Sequence, residues 1–377
     1  MSNSVRLGDI CSIVSGSTPK SNIPEYWDGD VKWITPAELT DDSYIILDSV
    51  RHITELGVSK TGLKSFPEGT VILSSRAPIG KTAIAGCEMY CNQGFKNLIC
   101  SARVNNRYLY WFLTCNTDYL NSLGRGATFK EISKSIVEDI EIPLPPLNEQ
   151  LEVADKFEKI SSLISFRKQQ LAKLDELIKA RFVELFGEWN SNPEPLKSFL
   201  KDITYGFTNP MPDAEEGPWK VTAKDVVNGK INYDTARKTT VQAFEELTAK
   251  SKPTVGDVLL TKDGTLGRCA VVEEDGICVN QSVAVLKCNE KILPKFLAIL
   301  LQMPEYQREM LKNAGGGTIK HIYITKVVDM LIVVPTISQQ MEFLSFVEQT
   351  DKSKLAIQQS LDKLETLKKS LMQKYFG

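Results

Sequence analysis

The sequence predicts a mixed α/β (α+β) protein made of two tandem domains, each followed by a long α-helix. Three observations predict this class. The sequence repeats itself, each copy mixes β-rich runs with helix-like stretches, and each copy ends in a heptad pattern. The shift between GATFKEI at 126–132 and GGTIKHI at 316–322 is 190 residues. Because a solenoid unit has only about 20–50 residues, each copy is expected to be a whole domain.

The repeat extends well beyond that heptapeptide. The shift holds without an insertion to the last residue, so that Gln150 matches Gln340 and Phe186 matches Phe376. Upstream the match continues with small register slips, pairing GTVILSSRAPIGKTAI (69–84) with GDVLLTKDGTLGRCAV (256–271), and CNQG (91–94) with VNQS (279–282). Two similar copies predict an approximate two-fold symmetry, which suits a symmetric or bipartite partner such as DNA.

The body of each copy has the pattern of a mixed α/β domain. Short β-rich runs follow a glycine, and stretches with aromatic residues have helical spacing. These elements are Thr70–Leu73 and Asp257–Leu260 for the strands, and Tyr108–Leu120 and Leu293–Met310 for the helices. The segment EWNSNPEP (188–195) holds two prolines and is the best candidate for a linker.

Each copy ends in a segment with a heptad pattern. Residues 148–186 contain no proline or glycine, and at about 1.5 Å per residue they predict a rod of roughly 60 Å. Asn148 and Ser338 are predicted N-caps, and Gly187 and Gly377 stand where the helices should stop. The predicted seam positions are Val153, Phe157, Ile160, Ile164, Leu171, Leu174, Ile178 and Leu185, and Phe343, Val347, Ile357, Leu361, Leu364, Leu371 and Tyr375.

Such a seam needs a partner, because an exposed apolar stripe of this size would aggregate. The two helices are therefore expected to pack on each other as an antiparallel coiled coil with pseudo-two-fold symmetry. The alternative is that each helix packs along its own domain.

Composition excludes several classes of protein. A chain of 377 residues with 42% hydrophobic and 24% charged residues is typical of a soluble globular protein. It lacks an apolar run of 18 residues, and MSNSVRLGD at its start has neither a basic n-region nor an apolar h-region. We expect a cytoplasmic location. Eight cysteines without a CxxC pair, and only two histidines, argue against a metal site. The net charge of −2 argues against a DNA-binding protein that acts alone.

A glycine followed by a cation recurs in both copies. Gly80-Lys81-Thr82 resembles the end of a P-loop, but position 75 is serine, so the glycine-rich cradle is missing. The second copy keeps Gly267 and Arg268 and loses the hydroxyl. The pattern suits a tight turn that presents a cation to a phosphate backbone, and a solvated side chain in a hairpin is the alternative.

Two further repeated patterns are candidates for DNA contacts. Asn92-Gln93 and Asn280-Gln281 can read adenine, although satisfying backbone groups at a strand end is the favoured interpretation for them. The second pattern follows the glycine-rich turns at 124–126 and 315–317, where either an anion site or a flexible loop is expected. Its residues are Thr128, Lys130, Thr318 and Lys320.

Catalytic motifs are not found in the sequence. Asn209-Pro210-Met211-Pro212 only faintly resembles an amino-methyltransferase motif, and no Gly-x-Gly element follows a predicted strand. Nuclease carboxylate spacing is also missing, and the two histidines have no repeat partners. The sequence therefore predicts no catalytic, cofactor-binding or metal-binding residue.

Taken together, the two α/β domains, the GATFKEI turn and the junction PLPPLNEQ (143–150) before a long helix resemble the specificity subunit of type I restriction–modification systems. The resemblance implies two target-recognition domains, at 1–147 and 188–337, each reading half of a bipartite DNA sequence. It implies that helices 148–187 and 338–377 set the gap between the halves. The remaining cationic candidates for DNA binding are Lys20, Arg76, Arg125, Lys224 and Lys262.

The resemblance also implies partners. The helices would dock two methyltransferase subunits, restriction subunits would join that core, and the partners would clasp the DNA. The chain itself would use no cofactor, and the partner subunits would use S-adenosylmethionine, ATP and magnesium. Two other classes remain open, namely a methyltransferase or nuclease with fused recognition domains, and a protein scaffold without DNA contact.

Overall fold

The computed structural model describes residues 4–76, 78–126, 130–186, 193–312, 314 and 321–377. The chain forms two compact units, of which the first is built from two segments separated in sequence and the second from one continuous segment. Unit 1 comprises Met1–Gln169 and Gln358–Gly377, and unit 2 comprises Gln170–Ile357. The predicted mixed α/β class is confirmed. Among the described residues, no helix has both the length and the apolar character needed to span a bilayer.

Unit 1 contains ten strands and four helices that lie wholly within its described residues. The strands are β1 (Ser4–Arg6), β2 (Cys11–Val14), β3 (Trp27–Ile34), β4 (Ile45–Ile46), β5 (His52–Ile53), β6 (Val71–Ser75), β7 (Ile79–Ala85), β8 (Tyr90–Cys91), β9 (Asn97–Cys100) and β10 (Glu141–Pro143). The helices are α1 (Glu55–Thr61), α2 (Asn106–Cys115), α3 (Thr117–Ser122) and α4 (Lys134–Glu138).

The strands of unit 1 form a five-stranded sheet, a three-stranded sheet and a pair. The five-stranded sheet has the order β2-β9-β6-β7-β4, in which only β4 runs parallel to its neighbour. The three-stranded sheet has the order β5-β3-β8, and β1 pairs with β10. All five residues of β6 are buried, because this strand lies inside the larger sheet and carries apolar side chains on both faces.

Unit 2 repeats this plan with small changes. Its strands are β11 (Glu194–Pro195), β12 (Leu200–Tyr205), β13 (Ala214–Val221), β14 (Val226–Val227), β15 (Lys230–Ile231), β16 (Arg237–Lys238), β17 (Val258–Thr261), β18 (Cys269–Val271), β19 (Ile277–Val279), β20 (Val283–Cys288) and β21 (Leu331–Ile332). The sheets have the orders β12-β20-β17-β18, β16-β13-β19, β11-β21 and β14-β15. The first three match sheets of unit 1, so the sequence repeat corresponds to a repeated topology.

Long helices follow the two α/β bodies. In unit 2 the shorter helices are α6 (Val241–Glu245), α7 (Pro294–Leu300), α8 (Pro304–Lys312) and α9 (Ile324–Val328). The long helices are α5 (Leu147–Phe186) and α10 (Ile337–Phe376), each of 40 residues. Each begins one residue before its predicted N-cap. In α10 the capping role falls to Thr336, whose hydroxyl accepts a hydrogen bond from the Gln339 amide at 3.4 Å.

Within unit 2 the two long helices run antiparallel. Asp175 pairs with Lys354 at 2.7 Å, and Arg181 pairs with Glu342 at 3.0 Å. A step toward the C-terminus of α5 is therefore matched by a step toward the N-terminus of α10. The predicted seam positions are buried or half-buried, which confirms the seam. Packing on the other helix and packing on the domain both occur, so the two alternatives are not exclusive.

Aromatic residues of the long helices complete the core of each unit. In unit 1, Phe376 at the end of α10 stacks on Phe157 of α5, with ring centroids 5.5 Å apart, and contacts Tyr108 at 5.3 Å. In unit 2, Phe186 at the end of α5 lies 5.8 Å from both Phe296 and Phe343. Each α/β body is thus closed by one long helix from its own repeat and the end of the other.

A buried glutamine fastens each long helix to the domain before it. The Gln150 amide group accepts from the Asn105 amide at 2.8 Å and donates to Arg103 O at 3.1 Å and Pro145 O at 2.8 Å. Gln340 makes the same three bonds, to Leu293 N, Lys291 O and Pro335 O, at 2.8–2.9 Å. Both side chains are nearly inaccessible, with exposures of 1% and 0%.

A second fastening, found in unit 1, is ionic. Arg107 of α2 donates to Asp155 and Glu158 of α5, each at 2.5 Å. The Tyr44 hydroxyl also donates to Glu158. Burial raises the pKa of Tyr44 above its ordinary value, so the hydroxyl stays protonated as a donor. This group holds the first half of α5 in one orientation on unit 1.

Two helices predicted as single stretches are each divided, so that part of the prediction was wrong. The stretch at 108–120 forms α2 and α3, because Asn116 folds its side chain back onto Phe112 O at 2.8 Å and ends α2. The stretch at 293–310 forms α7 and α8, because Pro304 cannot continue a helix. Of the predicted linker 188–195, only 193–195 lies in the described ranges, and Gly187 lies outside them.

The glutamine fastenings lead to a stability prediction. Gln150→Ala or Gln340→Ala should each destabilise its unit by about 1–3 kcal/mol, because buried backbone groups lose their partners. We expect the calorimetric melting temperature to fall by about 2–4 °C for each kcal/mol. Gln359→Ala, which removes an exposed glutamine from α10, is the matched control and should change stability by no more than about 0.5 kcal/mol. Equal effects of all three variants would contradict this role.

Candidate nucleic-acid interface

In each unit, a loop that begins with glycine lies against a turn that holds Asn-Gln. We name these segments the glycine loop (16–18 and 206–208) and the Asn-Gln turn (91–94 and 279–282). A Cβ atom on Gly16 would lie 1.9 Å from Cys91 O, and one on Gly206 would lie 1.7 Å from Val279 O. Only glycine therefore permits this approach, which explains why both copies keep it.

Backbone hydrogen bonds join the two segments. Ser17 N donates to Cys91 O at 3.0 Å, and Phe207 N donates to Val279 O at 3.0 Å. In unit 1 the Thr18 hydroxyl also donates to Gln93 Oε1 at 2.5 Å. The glycine loop thus positions the Asn-Gln turn in both units.

Within each turn the asparagine and the glutamine have different roles. The Oδ1 atom of Asn92 accepts from Gly94 N at 2.8 Å, and that of Asn280 accepts from Ser282 N at 3.2 Å. These asparagines satisfy backbone groups of their own turn, as the favoured interpretation expected. The side chains of Gln93 and Gln281, in contrast, are exposed.

In unit 1 the Asn-Gln turn is hydrogen-bonded to the end of β6, and the end of β6 is hydrogen-bonded to the last residue of GATFKEI (126–132). Ser75 N donates to Gly94 O at 2.8 Å, and Ile132 N donates to Ser75 O at 3.0 Å. Arg125 and Glu131 exchange two backbone bonds, each of 3.0 Å. Four segments therefore lie side by side, and we name this surface the polar edge of unit 1. They are the glycine loop, the Asn-Gln turn, residues 75–76, and residues 125, 126 and 130–132.

In the polar edge of unit 2, the bonds made by Lys262 and Ile322 are equivalent to those of Ser75 and Ile132, and Gln281 adds a bond to the glycine loop. Gln281 N donates to Phe207 O, Lys262 N to Ser282 O and Ile322 N to Lys262 O, each at 2.8 Å. The Ser282 hydroxyl in turn accepts from Ala223 N at 3.1 Å. The two polar edges therefore share one backbone frame.

The predicted DNA-binding candidates are distributed unevenly around these edges. Arg76, Gln93, Arg125 and Lys130 belong to the polar edge of unit 1, and Lys262 and Gln281 to that of unit 2. Lys20 and Lys224 are exposed, the first beyond the glycine loop and the second on the 3-10 turn Ala223–Asp225. Thr128, Thr318 and Lys320 lie outside the described residues.

Lys81 and Arg268 occupy equivalent turns but are already engaged within their own units. Their amides donate to the hydroxyls of Ser74 and Thr261, each at 2.9 Å. Lys81 Nζ donates to Leu39 O at 2.6 Å. The Arg268 guanidinium donates to Val226 O at 3.2 Å, the carbonyl at the equivalent position. An ammonium and a guanidinium carry further donors, so these bonds do not use up either cation.

Sequence reasoning missed an ionic group at each polar edge. In unit 1, Glu131 lies between Lys96 Nζ at 3.2 Å and Arg76 at 3.9 Å. In unit 2, Asp263 lies between Lys262 Nζ at 2.8 Å and His321 Nδ1 at 2.6 Å. The available signal was the one change of charge type within the repeated heptapeptide, Glu131 to His321, which shows that His321 does have a repeat partner.

Across the described ranges, no group of three or more His, Cys, Asp or Glu side chains is arranged to hold a metal ion. Burial raises the pKa of the Cys91 and Cys269 thiols to about 12. These cysteines therefore remain protonated near neutral pH and behave as small buried side chains.

The sequence is similar to curated proteins of one kind. It is 39% identical over 196 residues to the MjaIX specificity subunit of Methanocaldococcus jannaschii, which is 51% of this chain and 44% of that protein. It is 22% identical over 355 residues to the EcoBI specificity subunit of Escherichia coli, covering 82% and 74% of the two chains. The chain thus spans less than half the length of the MjaIX subunit.

Two solved structures share the fold. One is a chain from a study of complex assembly and conformational transition of a type I restriction–modification system, with a TM-score of 0.62, 18% identity, and coverage of 99% of this chain and 97% of that one. The other is the specificity subunit of such a system from M. genitalium, with a TM-score of 0.57, 13% identity, and coverage of 100% and 96%.

The family comparison covers most of the sequence. The family model described as "Type I restriction modification DNA specificity domain" matches twice, at residues 2–176 and 196–368. The two matches correspond to the two copies of the repeat. The chain therefore belongs to the family of type I restriction–modification DNA specificity subunits.

Proposed function

We propose that this chain is the DNA specificity subunit of a type I restriction–modification complex. Each α/β body reads one half of a bipartite target, and the paired long helices set the gap between the halves. The observation that carries the proposal is the polar edge, a single backbone frame built twice with different exposed side chains. Two half-sites of different sequence require that combination. The backbone must hold each domain in the same position on the DNA, while the side chains that contact the bases must differ.

The domain assignment follows from the repeat. Residues 1–147 and 188–337 are the target-recognition domains, and residues 148–187 and 338–377 are the spacer helices. The buried bonds of Gln150 and Gln340 support this division, because they fix each helix rigidly to the domain before it. A rigid junction is required if the helices are to set the gap, because a flexible junction would let the distance between the two domains vary.

The polar edges supply candidates for two kinds of DNA contact. Gln93 and Gln281 are exposed amides on a fixed turn and suit base readout in the major groove. Asn92 and Asn280 hold the turn and so position the neighbouring glutamines. The cations Lys20, Arg125, Lys130 and Lys224 suit the phosphate backbone, since all four are exposed.

The helices also suit the docking of methyltransferase subunits. Several apolar side chains on their outer faces are 41% to 64% exposed, more than the core-facing residues beside them. In this proposal, these side chains are covered when the methyltransferase subunits dock. The residues are Leu147, Leu151, Leu163, Phe166 and Leu367 in unit 1, and Leu177, Val183, Met341 and Leu355 in unit 2.

The first prediction concerns DNA binding by the isolated chain. With a net charge of −2, the chain alone should bind DNA weakly, and sequence discrimination should appear only when methyltransferase subunits are added. The measurement is a pull-down of those subunits, followed by a mobility shift with and without them. Tight, specific binding by the chain alone would contradict this prediction, and no DNA binding in either state would favour a scaffold.

The second prediction concerns Lys81 and Arg268, which we propose contact backbone phosphates in equivalent positions. Changing either to alanine should weaken binding of all sequences and lower the salt slope by about one unit. Lys60→Ala, at an exposed lysine on α1, is the matched control and should leave the slope unchanged. A lower melting temperature with an unchanged slope would mean that each cation serves only the bond to its own unit.

The third prediction tests the helices as a ruler. Four residues inserted after Lys173 add about 6 Å of helix, or roughly two base pairs. The complex should keep both half-sites and demand a longer gap, with some loss of stability because four residues disturb the heptad seam. The measurement is sequencing of methylated sites in cells that carry the insertion. An unchanged gap with full activity would leave the helices as docking surfaces only.

A further inference from the structure

The ionic groups at the polar edges occupy one backbone frame in the two units. Arg76 and Glu131 form an isolated antiparallel bridge, and Asp263 and His321 form the equivalent bridge. In both units the residue after the bridge donates its backbone amide to the facing segment. Ile132 N donates to Ser75 O at 3.0 Å, and Ile322 N donates to Lys262 O at 2.8 Å. The repeat matches Arg76 with Asp263 and Glu131 with His321.

The side chains on this frame are inverted. In unit 1 the cation follows β6 and the carboxylate lies on the opposite segment. In unit 2 the carboxylate follows β17 and the imidazole lies opposite. A second cation accompanies each carboxylate, but it comes from different positions, Lys96 and Lys262. The frame is therefore retained while the pattern of donors and acceptors is reversed.

A purely structural ion pair does not account for this reversal. A bridge between half-exposed side chains contributes only about 0–1 kcal/mol, and either polarity would serve equally well. In each group the lysine is well covered, with side-chain exposures of 9% for Lys96 and 17% for Lys262. The lysine neutralises the carboxylate, and Arg76 and His321 remain more exposed than the lysine of their group, at 34% and 45%.

These positions are well suited to contact bases. The Arg76 guanidinium is 3.9 Å from Glu131, which is a loose pairing for an arginine and a carboxylate. A guanidinium fork matches O6 and N7 of guanine. His321 is held through Nδ1 by Asp263, which leaves Nε2 for a ligand. A guanidinium fork and a single imidazole nitrogen select different base edges.

We propose that the pairs Arg76–Glu131 and Asp263–His321 are specificity-determining pairs, each reading one base pair of the half-site of its own domain. Arg76 reads a guanine, oriented by Glu131, and His321 reads a different base, oriented by Asp263. This inference rests on the proposed function, because it requires that each domain reads one half of a bipartite target.

The test compares Arg76→Ala and His321→Ala in the complete complex with its methyltransferase subunits, and each variant is the control for the other. Methylation of a plasmid library with randomised half-sites is read by sequencing. Arg76→Ala should reduce discrimination at one guanine of the first half-site by about tenfold or more, with the second half-site and the gap unchanged. His321→Ala should relax one position of the second half-site only.

Two further variants keep the test decisive. Arg76→Lys keeps the charge beside Glu131 but lacks the fork, so it should also relax the guanine preference even if Arg76→Ala folds poorly. Arg76→Asp combined with Glu131→His, which installs the unit 2 pair in unit 1, should shift the preferred base of the first half-site.

Unchanged sequence preferences with evenly reduced methylation would overturn the inference and make the pairs structural. In that case the wild-type complex would still methylate a bipartite site, and the proposed function would stand. If the wild-type complex methylates no bipartite site, the proposed function fails, and this inference fails with it.

Discussion

The structure depends on the aromatic closure of each core by a helix that belongs to the other repeat. Phe376 completes the core of unit 1 beside Phe157, and Phe186 completes that of unit 2 beside Phe343. Because α5 and α10 each begin in one unit and end in the other, each core needs an aromatic ring from the end of the helix that begins in the other unit. Within each unit, these rings fix the position of one long helix against the other.

On this fixed frame, the bonds that hold position are common to both repeats and the exposed side chains are not. The glycine approach, the asparagine turn and the buried glutamine recur with nearly the same distances. The side chains at 76 and 131, an arginine and a glutamate, differ from the aspartate and histidine at 263 and 321. The retained backbone contacts and the differing side chains thus lie at separate positions in each domain. This separation lets side chains change without loss of the backbone that presents them.

Much of the fold could be predicted from the sequence, because a repeat and a heptad pattern are both recognised from the spacing of residues along the chain. The seam of α5 and α10 was found in this way, and so was the structural role of Asn92 and Asn280. The division of the helix at Asn116 depended on a side chain folding back onto Phe112, which spacing does not reveal. The ionic groups were missed because Arg76 and Glu131 are 55 residues apart and meet only across a bridge.

Unit 1 is built from the first and the last segments of the chain, and this affects how it folds during synthesis on the ribosome. Its core needs residues 358–376, which are translated only after the whole of unit 2. Until then the apolar surface around Tyr108, Phe112 and Phe157 lacks the cover of Phe376, while unit 2 can close once residues 337–357 have emerged. The second domain is therefore able to finish folding before the first, against the usual N-terminal-first order. A nascent chain arrested before α10 is complete would expose that surface, and chaperones and proteases could recognise it as unfinished.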